Sequence, residues 1–351
     1  GYAVFFDDLE PSGETRLPVT GRIAAGHPLG RAAGSGEAIR IFTGAPMPDG
    51  PDTVFMEEDC TPDGDFVILP AGLKKGSNRR KRGEDIEAGR IIVQAGTRLR
   101  PQEIGLAASV GRSALVVRTP LRVAVFSTGD EVRDPGVEAP EGCIYDANRF
   151  AVTALLKGLD CAVTDLGILP DTEDAIAAAL AAAAPSHDVL VTSGGVSAGE
   201  EDHVKAAVER HGRLHFWRLA IKPGRPIALG QVGNAAFIGL PGNPVAAMVT
   251  FMVIARPVLL TMAGGVRTAA PRFPVKAAFD YKKKQGRREW VRATLSGGEN
   301  GSLAATKFRS SGAGILTSMV EADGLVEIPE DVEKVEPGDT VDFLPFNEVY
   351  R

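Results

Sequence analysis

Cysteine and histidine are scarce in this sequence, and their scarcity excludes several classes of protein. The three cysteines, Cys60, Cys143 and Cys161, are far apart and form no C-x-x-C pair, so neither a disulfide framework nor a structural zinc site is indicated. The five histidines include no H-E-x-x-H motif, and no Walker A sequence occurs, which excludes the common zinc-protease and P-loop classes. We therefore expect free thiols in a reducing, cytoplasmic setting.

An excess of positive charge and a long hydrophobic run are also missing. The 39 Lys and Arg residues are outnumbered by 45 Asp and Glu residues, which leaves a formal net charge of −6. Binding of nucleic acid through a basic surface is therefore not expected. The longest apolar run, residues 245–255, is broken by Arg256 and Pro257. It is shorter than the ~20 residues of a membrane span, so the run predicts a core helix and no membrane partner.

The 351 residues are 44% hydrophobic and 24% charged, which is typical of a globular protein of several domains. Short strand patterns separated by Gly and Pro turns predict a small β unit over residues 12–84. Strands and helices alternate over residues 121–265, which predicts a doubly wound α/β domain. Strand patterns return over residues 266–351 and fit a small β-barrel or sandwich. A helix is predicted to begin at Pro101 and to end before Gly111.

Three predicted strands of the α/β region end in glycine-rich polar turns, at residues 127–131, 192–202 and 240–244. If these strands are parallel and adjacent, the turns line one crevice at the carboxyl edge of the sheet. Glycine lets backbone N–H groups approach a phosphate closely, and the following helix N-terminus favours an anion. A single turn of this kind is also typical of a tight connection, but three together indicate an anion-binding crevice.

Carboxylates accompany these turns. Asp130, Glu131, Glu200 and Asp202 would repel a bound phosphate unless a divalent cation lay between them, and hard oxygen ligands suit Mg²⁺. The alternative for Glu200 is a role at the N-terminus of the following helix, where negative charge is favourable. Asp171 is predicted to supply the N-cap carboxylate of the alanine-rich helix that directly follows it in the sequence.

Two basic segments complete the pattern. Lys222 and Arg225 lie on a turn that is flanked by prolines, where a Lys point charge and an Arg fork suit a phosphate or another oxyanion. The second segment, residues 74–82, contains six Lys and Arg residues. It is either a solvated loop or a contact for an anion.

Seven short motifs follow one another along the chain. They are Thr43–Pro48, Gly83–Ile86, Ser127–Glu131, Ile144–Arg149, Ser193–Asp202, Ile221–Pro226 and Gly239–Val245. In residue type, order and spacing, they closely resemble the MoeA family of molybdopterin molybdenumtransferases, which is related to the E domain of gephyrin. The resemblance extends from residue 1 to the C-terminus.

The resemblance implies a multi-domain fold of α/β and β parts in an elongated homodimer. Residues 1–11 and 85–120 would form a split domain, and residues 12–84 a β domain inserted into it. Residues 121–265 would form the doubly wound molybdopterin-binding α/β domain, and residues 266–351 a C-terminal β-barrel.

The resemblance also implies an activity. Members of the family insert molybdate into adenylylated molybdopterin and release AMP with the help of Mg²⁺, after an upstream adenylyltransferase has made the nucleotide. The implied catalytic residues are Thr43, Asp85, Glu131, Asp171 and Asp202, and the implied metal ligands are Asp130, Glu131 and Asp202. The implied substrate-binding residues are Ser193, Gly194, Gly195, Ser197, Lys222, Arg225, Pro241, Gly242, Asn243, Pro244, Arg287 and Arg292, of which Arg287 and Arg292 would reach the molybdate. The sequence departs from the family at Ala313, where relatives often carry Ser.

Two alternative functions are compatible with the resemblance. A molybdopterin adenylyltransferase carries Ser-Gly-Gly-Thr-Gly, whereas this chain has Ser-Gly-Gly-Val-Ser at residues 193–197 and two additional β domains. A gephyrin-like scaffold would bind a receptor peptide and would not need acidic residues in the crevice. The acidic residues therefore favour the molybdenumtransferase.

Overall fold

The computed structural model describes residues 1–196, 203–298 and 301–350. By its internal contacts the chain divides into two compact units, Gly1–Ile92 and Val93–Arg351. The predicted Ser197, Glu200 and Asp202 lie outside the described residues.

The first unit is built on a six-stranded sheet. Its strands are β1 (Tyr2–Val4), β2 (Thr15–Ile23), β3 (Ala38–Ile41), β4 (Thr53–Phe55), β5 (Thr61–Asp63) and β6 (Phe66–Leu69). They lie in the order β4-β1-β3-β2-β6-β5. Tyr2–Val4 is antiparallel to both β3 and β4, so the first residues share a sheet with residues 12–84. The grouping of residues 1–11 with residues 85–120 stays a prediction.

The α/β part of the second unit follows the predicted alternation of strands and helices. In chain order its elements are α1 (Pro101–Ser109), β7 (Arg122–Thr128), β8 (Val132–Arg133), β9 (Ile144–Tyr145), α2 (Asn148–Gly158), β10 (Ala162–Leu169), α3 (Glu173–Ala183), β11 (Val189–Ser193), α4 (His203–His211), β12 (Gly212–Arg218), β13 (Ile221–Lys222), β14 (Pro226–Val232), β15 (Ala235–Leu240), α5 (Pro244–Thr250) and α6 (Arg256–Met262). Six of the strands form a sheet in the order β10-β7-β11-β15-β14-β12.

Successive side chains of the central strands enter two different cores, as the period of two in a strand requires. Ala124 and Phe126 pack with α3 and α4 on one face. Val123 and Val125 pack with α2, α5 and α6 on the other face. The predicted doubly wound sheet with helices on both faces is therefore confirmed.

The start of α3 differs from the prediction. The N-cap residue is Thr172, whose Oγ1 accepts a hydrogen bond from the N–H of Ala175 at 3.4 Å. The prediction that Asp171 caps this helix is wrong, because its carboxylate accepts a hydrogen bond from Thr128 Oγ1 at 2.8 Å instead. Asp171 is thereby held at the end of the neighbouring β7.

The long helix continues beyond the point where the apolar run was expected to break. A π-helical turn, Phe251–Ala255, joins α5 to α6. Pro257 lacks the N–H that an α-helix would donate four residues back, and this accounts for the irregular turn. Residues 244–262 are long and apolar enough to cross a membrane, with a mean hydropathy of 2.0, but 56% of their most apolar stretch is buried inside the protein. The helix is a core helix here, between the sheet and the C-terminal domain.

The C-terminal region forms a closed barrel. Its elements are β16 (Phe273–Ala277), β17 (Tyr281–Lys282), β18 (Arg288–Gly297), β19 (Leu303–Lys307), α7 (Thr317–Glu321), β20 (Gly324–Ile328), β21 (Lys334–Val335) and β22 (Thr340–Pro345). Five strands pair in the order β18-β19-β16-β22-β20, and β20 pairs with β18 again to close the ring. The predicted barrel is confirmed.

The first half of β18 is buried on both of its faces. Val291 and Ala293 point into the barrel core, whereas Trp290 packs outside it against Val245 and Val249 of α5. The barrel is therefore attached directly to the helix that begins at one of the glycine-rich turns.

Candidate active site

The three strands that carry the glycine-rich turns are adjacent and parallel, as the crevice prediction required. Ser193 of β11 lies opposite Ser127 of β7 and Leu240 of β15. The N–H of Gly194 donates to the carbonyl of Leu240 at 3.1 Å, and Asn148 Nδ2 donates to the carbonyl of Gly242 at 2.6 Å. The turns thus meet at one edge of the sheet, beside the N-termini of α2 and α5. This edge carries Ser193, Gly194, Gly195, Pro241, Gly242, Asn243 and Pro244.

Two glycines in this edge have backbone conformations that favour glycine, and one of them has no room for a side chain. Gly194 and Gly195 have φ angles of +97° and +62°, in the region that favours glycine. A Cβ atom on Gly195 would lie 2.5 Å from Val204 Cγ2 and 3.0 Å from Thr128 Cγ2. Glycine therefore lets the turn fold tightly against α4 and leaves its backbone available to a ligand.

Buried hydroxyl groups without partners lie just behind the turns. Ser127, Thr192 and Ser193 are each less than 10% exposed, and their hydroxyl oxygens have no hydrogen-bond partner among the described residues. Since Ser127 and Ser193 are neighbours in register, their side chains lie on the same face of the sheet. Unpaired buried hydroxyls are costly, and the oxygens of a bound anion would satisfy them.

The acidic side of the crevice follows β7. Asp130 and Glu131 are exposed on the turn, and a Cβ on Gly129 would lie 2.8 Å from Glu131 Oε2. The Glu131 carboxylate therefore folds back over the turn, near the strand end to which Thr128 holds Asp171. The oxygens of Asp130 and Glu131 fit Mg²⁺ in type. Within the described ranges, no group of three or more His, Cys, Asp or Glu side chains is arranged to hold a metal.

A buried arginine, Arg149, anchors the chain segment that follows Asp130 and Glu131. Arg149, 5% exposed, donates from Nε to Asp146 at 3.0 Å and from Nη1 to both oxygens of Asp165 at 2.7 and 2.6 Å. It also pairs with Asp134. Burial alone would lower the pKa of Arg149, but the hydrogen bonds to Asp165 and Asp146 raise it above its ordinary value. Arg149 is therefore a fixed cation that ties residues 134–146 to the sheet.

We expect Arg149→Ala to destabilise the protein by about 3–5 kcal/mol, because it leaves the buried Asp146 without its counter-charge. Arg122→Ala is the matched control, since Arg122 pairs with Asp188 at an exposed site and such pairs contribute about 1 kcal/mol or less. Urea denaturation of both variants measures the difference. Equal, small losses would show that Arg149 is not an anchor.

A second part of the site is a cavity of about 140 Å³ at the barrel. It is lined by Lys222, Pro223, Tyr281, Trp290, Val291, Arg292, Lys307, Phe308, Arg309, Ser310 and Ser311. These residues come from the turn after β13, from β17 and β18, and from the end of β19. The lining carries four cations and, in the described part of the chain, no carboxylate.

Arg292 is the most deeply buried of these cations, at 4% exposure. Its Nε donates to Ser318 Oγ at 3.0 Å, and its Nη2 donates to the carbonyls of Ser310 and Gly312, both at 3.0 Å. Burial lowers the pKa of the guanidinium, and no carboxylate pairs with it among the described residues. A buried positive charge that is bonded only to neutral groups is suited to an incoming anion.

Lys222 belongs to a different arrangement, centred on a buried carboxylate. Glu289 accepts from Tyr281 Oη at 2.6 Å and from Arg287 Nε at 2.6 Å, and it lies 3.6 Å from Lys222 Nζ. Burial alone would raise the pKa of Glu289, but the Tyr281 and Arg287 hydrogen bonds and the Lys222 charge hold it below its ordinary value. Burial and the bond to Glu289 raise the pKa of Tyr281, so Glu289 is ionised beside a neutral phenol.

The turn at Lys222 joins the cavity to the crevice. Gly224 has a φ of +92°, and a Cβ there would lie 2.2 Å from Thr250 Cγ2 and 3.4 Å from Pro241 Cγ. The same turn continues from β13, which pairs with β18 of the barrel. On the other side, the N–H of Val245 donates to the carbonyl of Ala313 at 3.0 Å. The two parts of the site are therefore direct neighbours within the second unit.

The remaining predicted residues lie elsewhere or play other parts. Arg225 is exposed on its turn, and Arg287 is bonded to Glu289 rather than lining the cavity. Thr43 and Asp85 are exposed on turns of the first unit. In the basic segment of that unit, Lys75 pairs with Asp7 and Asp52.

The sequence patterns did not point to Tyr281, Glu289, Lys307 and Arg309 as residues of the site. Glu289 carried a usable signal, because it is a single acidic residue near the start of a strand and is followed by the apolar Trp290 and Val291. For Tyr281, Lys307 and Arg309, the signal exists only in the way that the barrel strands pair.

Comparisons with known proteins agree along the whole chain. Three family models match in succession: the MoeA N-terminal region (domains I and II) over residues 1–111, a probable molybdopterin binding domain over residues 124–261, and the MoeA C-terminal region (domain IV) over residues 274–346. A molybdopterin molybdenumtransferase of Haemophilus influenzae is 39% identical over 349 residues, which cover 99% of this chain and 86% of that protein.

Two further proteins extend the comparison. Molybdopterin molybdenumtransferase 2 of Mycobacterium tuberculosis is 32% identical over 348 residues, covering 96% of this chain and 85% of that protein. The crystal structure of the molybdopterin biosynthesis moeA protein of Pyrococcus horikoshii matches with a TM-score of 0.82 at 26% identity, over 98% of this chain and 86% of that chain.

Proposed function

We propose, since this chain belongs to the MoeA family of molybdopterin molybdenumtransferases, that it inserts molybdate into adenylylated molybdopterin and releases AMP. Membership of the family makes the chain a transferase enzyme of molybdenum-cofactor biosynthesis. The resemblance of the seven motifs is thereby confirmed. The coupling of insertion to the release of AMP is the part that the proposal adds.

The observation that carries this proposal is the buried guanidinium of Arg292 at the barrel cavity. It is bonded to a hydroxyl and two carbonyls, and Lys222, Lys307 and Arg309 line the same cavity. A small dianion with four oxygens, such as molybdate, supplies both the charge and the acceptors that this wall lacks. The cavity therefore supports the binding of molybdate beside the pterin.

The crevice supports the binding of the nucleotide. Ser127 and Ser193 offer buried hydroxyls that have no partner in the described part of the chain, and the Gly194–Gly195 turn offers backbone N–H groups at a sheet edge with helix N-termini. We assign the phosphates of adenylylated molybdopterin to this edge, with the exposed Arg225 as an additional cation. The adjacent cavity then holds molybdate close to the dithiolene sulfur atoms of molybdopterin, which receive the metal.

Asp130 and Glu131, with Asp202 of the same predicted set, would hold Mg²⁺. When bound, Mg²⁺ neutralises charge on the pyrophosphate and makes AMP a better leaving group. Other residues of the chain orient these acidic side chains. Thr128 Oγ1 holds Asp171, and Arg149 holds the segment that follows Glu131. The catalytic roles that the resemblance implies for Thr43 and Asp85 stay predictions.

The proposal extends to the surroundings of the enzyme. We propose a cytoplasmic homodimer that receives its nucleotide from an upstream molybdopterin adenylyltransferase. The acidic residues of the crevice support an enzyme over a pure scaffold, which would have no use for them.

Incubation of the chain with adenylylated molybdopterin, Mg²⁺ and molybdate tests the proposal. We expect both substrates to bind and AMP to form only when both are present. AMP release that does not depend on molybdate would contradict the coupling, and failure to bind either substrate would contradict the assignment of the site.

A further inference from the structure

Lys222 depends on its neighbours for its position at the cavity. Its side chain is 39% exposed, and a lysine on a four-carbon stem is free to turn into solvent. Among the described residues, its polar contacts are Tyr281 Oη at 3.5 Å and Glu289 Oε2 at 3.6 Å. These two groups are therefore what keeps the ammonium at the cavity wall.

Glu289 is fixed far more firmly than Lys222. It is 1% exposed, and both of its oxygens accept short hydrogen bonds, from Arg287 and Tyr281. Lys222 is its partner in register on the parallel strand pair β13–β18. The carboxylate is thus a rigid point to which the flexible ammonium is attracted.

Glu289 also carries a cost for anion binding. It lies behind the wall of a cavity whose other cations, Arg292, Lys307 and Arg309, have no carboxylate partner among the described residues. A negative charge next to an oxyanion site repels the oxyanion. The carboxylate therefore helps binding only through the two cations that it holds, of which Lys222, and not Arg287, lines the cavity.

From this arrangement we infer that Glu289 is a positioning residue that holds the Lys222 ammonium at the oxyanion cavity, and so sets the affinity of the enzyme for molybdate. The inference rests on the proposed function, because it takes molybdate as the occupant of the cavity. It predicts that the negative charge of Glu289 strengthens molybdate binding when Lys222 is present and weakens it when Lys222 is absent.

A double-mutant cycle on the full chain tests this dependence, with molybdate alone as the titrant in calorimetry. We expect Lys222→Ala to weaken molybdate binding about 10- to 100-fold, because it removes a charged hydrogen bond to the anion. Glu289→Gln, which keeps the shape and one of the two acceptor oxygens, is expected to weaken binding about 10-fold. In the Lys222→Ala background, the same Glu289→Gln change is expected to strengthen binding about threefold, because a negative charge beside the anion is removed.

Glu327→Gln is the matched control. Glu327 is also a buried carboxylate, and it lies on the neighbouring strand β20. It pairs with Arg272 and Arg288 and accepts a hydrogen bond from Trp290 Nε1 at 3.2 Å, so its contacts with the described residues reach the cavity lining at Trp290 but include none of the four cations of the lining. We expect it to change molybdate affinity less than twofold in both backgrounds. Glu289→Asp is a second variant that keeps the charge but shortens its reach. It is expected to weaken binding like Glu289→Gln, and it keeps the test open if the glutamine variant does not fold.

The outcomes separate the inference from the proposed function. Additive losses from Lys222→Ala and Glu289→Gln, tighter binding by Glu289→Gln alone, or wild-type affinity in Glu289→Asp would overturn the positioning role while molybdate still binds the wild type. If the wild type and Glu327→Gln both fail to bind molybdate, the assignment of the cavity fails, and the inference fails with it.

Discussion

Replacement of Glu131 by Gln is expected to lower the rate of AMP release by at least about 10²-fold, which is typical of the loss of an electrostatic catalytic group. The affinity for adenylylated molybdopterin is expected to hold or to rise. The carboxylate of Glu131 lies over the turn at Gly129, at the edge where we place the pyrophosphate. Glutamine keeps the shape and removes one negative charge, so repulsion of the nucleotide falls while support for Mg²⁺ weakens. The same result is expected for Asp202→Asn, because the two carboxylates are assigned to one metal.

Glu138→Gln is the matched control for this prediction. Glu138 is exposed in the segment between β8 and β9, shortly after Glu131 in the chain. Its replacement by Gln removes the same charge at a position away from the strand end. Its turnover and nucleotide affinity are expected to match those of the wild type. Substrate affinity and AMP release should be measured on the same preparations, together with the thermal unfolding of each variant. Unimpaired turnover in Glu131→Gln would contradict the proposed role of the carboxylate.

The second large effect is expected at the opposite end of the site. Arg292→Gln should weaken molybdate binding by about 3 kcal/mol, or on the order of 10²-fold, because a charged hydrogen bond contributes about 1.5–3 kcal/mol and the guanidinium offers more than one. The affinity for adenylylated molybdopterin should stay unchanged, since its phosphates are assigned to the crevice. Folding should survive, because the Gln amide nitrogen takes the place of Nε and can donate to Ser318 Oγ, and because a buried charge that has no carboxylate partner among the described residues is removed.

Arg288→Gln is the control for Arg292. Arg288 lies on the same strand, but it pairs with Glu327 and Glu330 outside the cavity. It is expected to leave molybdate binding unchanged. Equal losses of affinity in both variants would indicate a general effect on β18, and wild-type affinity in Arg292→Gln would remove this residue from the molybdate site.

Much of the architecture could be predicted from patterns that are local in sequence. The doubly wound prediction came from the alternation of strand and helix patterns over residues 121–265, and the structure confirms it, since the side chains of Val123 to Phe126 alternate between two cores. The meeting of the glycine-rich turns followed from a general rule, because parallel adjacent strands place their carboxyl ends at one edge. The strand pattern of residues 266–351 fitted a barrel or a sandwich, and the family resemblance implied the barrel. The pairing of β18 with β20 that closes the barrel could not be predicted.

The errors and omissions arose where contacts between residues far apart in sequence determine the structure. The N-cap of α3 moved from Asp171 to Thr172 because a hydroxyl on β7, Thr128, competes for the carboxylate. Glu289 and Lys222 are 67 residues apart in sequence, and only the pairing of β13 with β18 brings them together. Arg149 appeared in a motif, but its three carboxylate partners come from the loop before it and from β10. Contacts of this kind depend on tertiary structure that no local pattern specifies.

The central claim is that one site couples the uptake of molybdate to the release of AMP. Its most direct test is a single-turnover reaction of the full chain with limiting adenylylated molybdopterin, Mg²⁺ and excess molybdate, in which molybdenum in the pterin product and free AMP are counted together. The account predicts equal amounts of the two, formed at the same rate, and no AMP above background when molybdate is omitted. AMP that forms without insertion of molybdenum, or molybdenum inserted without release of AMP, would contradict it.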